Sequence, residues 1–186
     1  MIVRDKNRLK KPCKPCKSIK EGEAIAAKLF KELIDKGGIG LAANQIGIDE
    51  RVCVIQVKEP IAFINPEIIK SEGEVVVPEQ CLSFPKKVVR TKRFKYVTIK
   101  SDNHGEVVLG GDNYDDNLLE SVCAQHEIDH LNGITMFDRK FVIPPVKSNK
   151  IGRNEKVDLI KDGKVKTLKF KKAQSLLDDG WEIINR

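Results

Sequence analysis

The chain has 186 residues, 40% of them apolar and 33% charged, with a formal net charge of +7. That size and balance describe a soluble globular protein with one full core and room for a small appendage. The longest apolar runs, such as 52-VCVI-55 and 75-VVV-77, are far too short to span a membrane, and the start MIVRDKNRLKKP lacks the apolar stretch of a secretory signal.

Ser18-Ile19-Lys20-Glu21 has the form of a capping box, so a helix is expected to follow. In that helix Ile25, Leu29 and Leu33 recur on one face, with Ala26, Phe30 and Ile34 beside them, and Gly37-Gly38 stops it. Next, 37-GGIGLAANQIG-47 reads as a glycine-rich turn of small residues, and 52-VCVIQV-57 as a strand. Asn65-Pro66 and Ser71-Glu72-Gly73 punctuate the region after it, and 78-PEQCLSFP-85 reads as a loop closed at both ends by proline. The segment 94-FKYVTIK-100 alternates apolar and polar residues, the pattern of a half-buried strand, and Asn103-His104-Gly105 turns it into a partner, 106-EVVL-109. A second helix is predicted over about 116–132. Leu119, Val122, Cys123, His126 and His130 follow at helical spacing and share one inward face.

After Pro144-Pro145 the composition shifts. Residues 147-KSNKIGRNEK-156 read as a polar, basic linker, and 157-VDLIKDGKVKTLKF-170 as a hairpin turning at Asp162-Gly163. A short helix with Leu176 and Leu177 and then 180-GWEII-184 complete a small ββα appendage. The expected division is a catalytic domain over 1–146, a linker over 147–154 and the appendage over 155–186.

The sharpest chemical signal is His126-Glu127-x-x-His130. Histidines at i and i+4 project from one helical face and can share a metal ion. Glu127 sits where its carboxylate can take a proton from a metal-bound water, whose pKa the ion lowers to about 7. Such a site needs a third protein ligand. Metzincin peptidases would place a histidine at 136, which here is Met136; Glu155 lies in the basic linker, and His104 in a hairpin turn. The thiols remain. The five cysteines, an odd count without a signal segment, point to a reducing compartment. Cys53 and Cys123 have the setting of small core residues, and Cys13-x-x-Cys16, with no second pair, that of a tied-down N-terminal arm. Cys81 differs, because its proline-bounded loop could turn a thiolate toward a ligand.

Three segments taken together resemble peptide deformylases: Gly38-Ile39-Gly40-Leu41-Ala42-Ala43-Asn44-Gln45, Glu79-Gln80-Cys81-Leu82-Ser83, and His126-Glu127-Ile128-Asp129-His130. Asp5, Arg8-Leu9 and Pro12 are similar to the family's opening, and the resemblance covers roughly residues 1–140. It implies an α+β fold, with antiparallel β-sheets wrapped around a central metal-binding helix. It implies that Cys81, His126 and His130 hold one divalent ion, Fe2+ as the native metal, with Zn2+, Ni2+ or Co2+ in purified protein. The implied reaction is hydrolysis of the formyl group from N-formylmethionyl peptides of nascent proteins. Metal-bound hydroxide attacks the formyl carbon, Glu127 serves as general base and acid, and the Gln45 side chain and Leu82 N–H serve as oxyanion donors. Gly38, Ile39 and Gly40 would let backbone approach an extended substrate, and Leu119, Val122 and Cys123 would wall a pocket for the methionine side chain.

Two positions depart from the family pattern. Gln80 stands where the family carries glycine before the cysteine, which sets a long polar side chain near the cleft, and Asn44 replaces a residue that is often proline or threonine. The C-terminal hairpin and short helix replace the basic helix with which relatives contact the ribosome. Docking near the ribosomal exit tunnel, and a cytoplasmic location in a bacterium or a phage-infected bacterium, are the expectations for partners and place. No membrane or nucleic-acid substrate is expected, because the lysines are spread along the chain and aromatics are few. Rival readings are a small zinc endopeptidase and a basic ribosome- or RNA-binding protein without catalysis.

Overall fold

Local chemistry places the first two helices. Helix α1 (Lys6–Leu9) opens on Asp5, whose carboxylate accepts the Asn7 and Arg8 N–H groups. Helix α2 (Ile19–Lys36) opens on Ser18, whose hydroxyl accepts the Glu21 N–H. The Glu21 carboxylate reaches back one residue further than a capping box requires, to the Lys17 N–H. Gly37 ends α2 at φ 63°, the left-handed cap that glycine takes without penalty. The computed structural model describes residues 1–142, 151–161 and 164–185, and the chain divides into two units, Met1–Phe141 and Val142–Arg186.

In the first unit, β1 (Gly40–Ala42), β2 (Val52–Gln56) and β3 (Pro60–Ile64) form one antiparallel sheet in the order β1-β2-β3. Strands β4 (Glu67–Glu79), β5 (Val89–Ser101) and β6 (Gly105–Gly110) form a second, in the order β4-β5-β6. Helix α3 (Asp116–Leu131) packs on strands of both sheets. Residues 52-VCVI-55 are apolar throughout because β2 is covered on both faces. Val52 and Val54 join Ile25, Leu29 and Leu33 of α2, while Cys53 and Ile55 join Ala124, Ile128 and Leu131 of α3. The fold is therefore α+β, with antiparallel sheets around a central helix.

Helix α3 is buried from Glu120 through Leu131 on every face, not on one apolar face alone. Its outward polar residues survive burial because each finds a partner. Gln125 binds both the N–H and the carbonyl of Phe94, Glu120 pairs with Lys58 Nζ at 2.9 Å, and Asp129 meets two arginines. Gly133, at φ 72°, ends the motif where the N-terminal arm crosses; a Cβ there would lie 2.4 Å from the Lys10 carbonyl oxygen. That crossing is fixed by the Cys13 N–H donating to the Leu131 carbonyl at 2.9 Å.

Several local expectations change. Residues 40–46 form strand β1 and a 3-10 turn (Ala43–Ile46) rather than a plain turn, because β1 gains ladder partners in β2. Ser71-Glu72-Gly73 does not interrupt β4, which pairs through it with β5. Pro78 lies inside β4 opposite Arg90, so the loop begins at Gln80; β4 is an edge strand, where a missing N–H costs no ladder bond. Ile34 is 69% exposed and lies outside the buried face of α2.

The second unit contains β7 (Lys156–Lys161), β8 (Lys164–Lys169), α4 (Gln174–Asp178) and β9 (Glu182–Asn185), with sheet order β8-β7-β9. The segment after the short helix is thus a third strand, and the unit is ββαβ rather than ββα. Val157, Leu159, Ala173 and Trp181 form its core. Pro144-Pro145, residues 147–150 of the expected linker and the Asp162-Gly163 turn lie outside the described residues.

Candidate metal centre

The loop joining β4 to β5 brings Cys81 to helix α3, where His126 and His130 lie one turn apart. Their ligating atoms all lie within 4.8 Å of one another, and the three residues are buried. Cys81 Sγ is 3.3 Å from His130 Nε2. Ligands sharing a tetrahedral ion at bond lengths of about 2.0–2.3 Å sit roughly this far apart.

For His126 the second ring nitrogen decides which atom faces inward. Burial alone would raise the Glu79 pKa, but hydrogen bonds from His126 and Arg93 hold the carboxyl at about 2, so it is ionised and can only accept. His126 Nδ1, 2.5 Å from Glu79 Oε2, therefore carries a proton, which leaves Nε2 as the ring atom able to ligate. Burial lowers the His126 pKa, but its hydrogen bonds to Cys81 and Glu79 outweigh this and raise it well above the usual range. Without a metal the ring therefore holds a second proton at neutral pH, and an ion bound at Nε2 would displace it. Burial holds His130 well below its usual range, so it is neutral and able to ligate. A thiol and two imidazoles are a donor set that fits a borderline divalent metal.

Beneath the ligands runs a network that sequence reading missed. Arg93 donates from Nε to Glu79 Oε1 at 2.5 Å and from Nη1 to Asp129 Oδ2 at 2.5 Å. Arg139 binds the same Asp129 through Nε and Nη2, at 2.9 and 2.7 Å. Thr91 Oγ1 donates to Glu79 as well. The chain His126–Glu79–Arg93–Asp129–Arg139 fixes the ring of one candidate ligand through α3, β4, β5 and the turn after α3. The one sequence hint was position: Glu79 lies two residues before Cys81 and Asp129 one before His130.

Glu127 is buried, and desolvation pushes its carboxyl up to about 7. Its Oε2 has no hydrogen-bond partner among the described residues. The Gln45 side chain is oriented by its Oε1, which accepts the Ala42 N–H at 2.9 Å. Its Nε2 then points at Ser83 Oγ, 3.2 Å away, and Cys81 Sγ, 3.5 Å away. The Leu82 N–H donates to no acceptor among the described residues. Both donors thus sit beside the thiol.

Gln45, Glu79, Cys81, Leu82, His126 and Glu127 line one cleft of about 1000 Å³. Gly38, Ile39, Gly40, Gln80, Leu119, Val122 and Cys123 line it too. A Cβ on Gly40 would lie 2.5 Å from Cys123 Sγ and 2.6 Å from Glu127 Oε1, and one on Gly38 would lie 2.8 Å from a Leu33 methyl. These glycines make room for the protein's own side chains. Leu119 is 41% exposed, Ile39 and Gln80 are exposed, and Val122 and Cys123 are buried wall residues. Cys123 Sγ donates to the Ile39 carbonyl, and burial pushes the Cys53 and Cys123 thiols well up, which leaves them inert. Cys13 and Cys16 are buried in separate clusters, and His104 is exposed.

The family profile described as "Polypeptide deformylase" matches residues 1–148. A peptide deformylase of Heliobacterium modesticaldum is 45% identical over 113 residues, which cover 60% of this chain and 72% of that one. One from Aquifex aeolicus is 40% identical over 143 residues, 70% of this chain and 80% of that one. Among solved structures, a peptide deformylase from Legionella pneumophila aligns with a TM-score of 0.66 at 35% identity, covering 76% of this chain and 85% of that one. One from Thermotoga maritima gives 0.66 at 30% identity, with 76% and 97% covered. The aligned share matches the first unit, where the Cys/His/His cluster lies, and the chain belongs to the polypeptide deformylase family of enzymes.

Proposed function

We propose that this enzyme removes the formyl group from N-formylmethionyl peptides of nascent proteins, with release of formate. The observation that carries the reading is the buried Cys81, His126 and His130 cluster, whose Cys81 and His126 line one cleft with Glu127 and Gln45. Bound there, a divalent ion supplies Lewis acidity and a water that ionises near pH 7. We read Fe2+ as the native ion, with Zn2+, Ni2+ or Co2+ able to occupy the same ligands.

Glu127 takes the proton of the attacking water and later gives it to the leaving amine; a carboxyl held near 7 can do both at neutral pH. The Gln45 Nε2 and the Leu82 N–H stabilise the oxyanion that forms as the formyl carbon becomes tetrahedral. The products are formate and a peptide with a free methionine amine. Leu119, Val122 and Cys123 form the apolar wall against the methionine side chain. β1 is an edge strand, so its outer edge is open to the backbone of an extended peptide. Action on nascent chains places the protein in the cytoplasm near the ribosomal exit tunnel.

The test is metal analysis of anaerobically purified protein, with formate release from a formyl-Met peptide measured on the same sample. About one metal per chain and stoichiometric formate are expected. Cleavage of internal peptide bonds without formate would overturn the reading.

A further inference from the structure

Resting on that reading, we propose that the cleft selects peptides bearing carboxylates after the formylmethionine, through a cationic rim made by Arg4, Lys36 and Lys86. These side chains come from three separate places: the N-terminal arm, the last residue of α2 and the loop between β4 and β5. All three are exposed, and all line the cleft. The carboxylates in the same lining are Glu79 and Glu127, both buried, and Glu79 is already engaged by Arg93 and His126. The open part of the cleft therefore presents positive charge with no exposed acid in its lining among the described residues. Arg4 and Lys86 make no ion pair among those residues. Lys36 Nζ lies 3.9 Å from Glu32, which also takes the Met1 amine at 3.1 Å, so one acid faces two cations.

Lys86 carries a second, independent observation. Phe84-Pro85-Lys86-Lys87 is a turn closed by the Lys87 N–H donating to the Phe84 carbonyl at 3.2 Å. Pro85 takes its second position, and Lys86 takes the third at φ 64°. That position favours glycine or asparagine, since a side chain with a Cβ is strained there. A lysine held there against steric preference, at the mouth of the cleft, argues that its charge is used. The rim shares one cleft with Cys81 and His126, so a peptide whose formyl end sits at those residues has its downstream part within the same cleft, and clefts lined by one sign of charge raise the local concentration of the opposite sign.

The experiment compares kcat/KM for formate release by the metal-loaded full chain on formyl-Met peptides that end in two aspartates, two alanines or two lysines. At 20 mM salt the aspartate peptide is expected to exceed the lysine peptide by roughly tenfold, mostly through KM, and the ratio to fall toward about twofold at 0.5 M salt. Lys86→Gly keeps the turn and lowers the ratio about twofold, and Lys86→Glu lowers it further. Lys28→Glu makes the same charge change on an exposed position of α2 outside the cleft lining and leaves the ratio as it was. Equal rates on the aspartate and lysine peptides at low salt, or a ratio indifferent to Lys86→Glu, would overturn the selection. Absence of formate from every peptide would instead overturn the activity, and the selection with it.

Discussion

Glu79 and Glu127 are the same residue type, nearly equally buried, and both close to His126, yet their surroundings are opposite. Glu79 accepts from His126, from Arg93 twice and from Thr91, and its carboxyl is held at about 2. Glu127 has one oxygen without a partner among the described residues, and desolvation carries it to about 7. Burial penalises both charges, and only hydrogen-bonded opposite charge offsets the penalty. One carboxylate is thereby a permanent anion that orients a ligand, and the other is left able to exchange a proton. Two acids with pKa values pushed apart by environment mark the division between support and chemistry.

The largest effect expected falls on Glu127. Glu127→Gln should lower kcat/KM for formate release by about 10³-fold, in the range of a lost general base. Metal content and thermal stability should stay near those of the parent. Turnover at the parental rate would remove Glu127 from the reaction. Glu79→Ala should do the reverse in kind, because it strands buried charge on Arg93. A stability loss of roughly 3 kcal/mol is expected in denaturant unfolding. Metal affinity should fall about 10- to 100-fold in a chelator competition. If the variant unfolded like the parent and held metal as tightly, Arg93 and His126 would not depend on Glu79.

Gly40→Ala sharpens the contrast from the other side. The new Cβ must displace Glu127 or Cys123, so about 2 kcal/mol of stability should be lost together with turnover. A variant as stable and active as the parent would show that β1 is free to move away from α3. The smallest effect concerns Asp138, a surface counterpart of Glu79. Burial raises its pKa, but hydrogen bonds from Lys10 and Thr135 together prevail and bring it to about 2. The sign follows: with the folded pKa below the unfolded one, its contribution is present above the ordinary carboxylate pKa and is lost as pH falls toward 2. Asp138→Asn should flatten the acid limb of a Tm-against-pH curve slightly. An identical limb in both proteins would show that the pair contributes nothing in solution, as for many exposed pairs.

Much of the site was legible because it is written in short spacings. His126 and His130 share a helical turn, Ser18 and Glu21 mark a helix start, and Cys81 stands in a loop with turn residues around it. The helix and the buried strand β2 follow from periodicity and apolar runs, which are local signals. Errors came where pairing partners override local preference. Gly73 and Pro78 read as breaks, yet both lie in β4, because β5 supplies hydrogen bonds along it and the edge tolerates proline. The third strand of the second unit was missed for the same reason, since Ile183 is a strand residue only by pairing with Leu159 of β7.

By itself, then, the order of residues determined helices α2, α3 and α4, the candidate ligands and the likeness to a family, since each rests on neighbours within a few positions, whereas α1 went unread. Only the tertiary structure decided which acid is the permanent anion and which can exchange a proton. Arg93 reaches Asp129 across 36 positions, and Glu79 meets His126 across 47. Only the tertiary structure, again, set Gly40 against Glu127 and brought Arg4, Lys36 and Lys86 to one cleft. Charge and burial act through space, and distances of a few ångströms between residues remote in the chain exist only once the chain has folded.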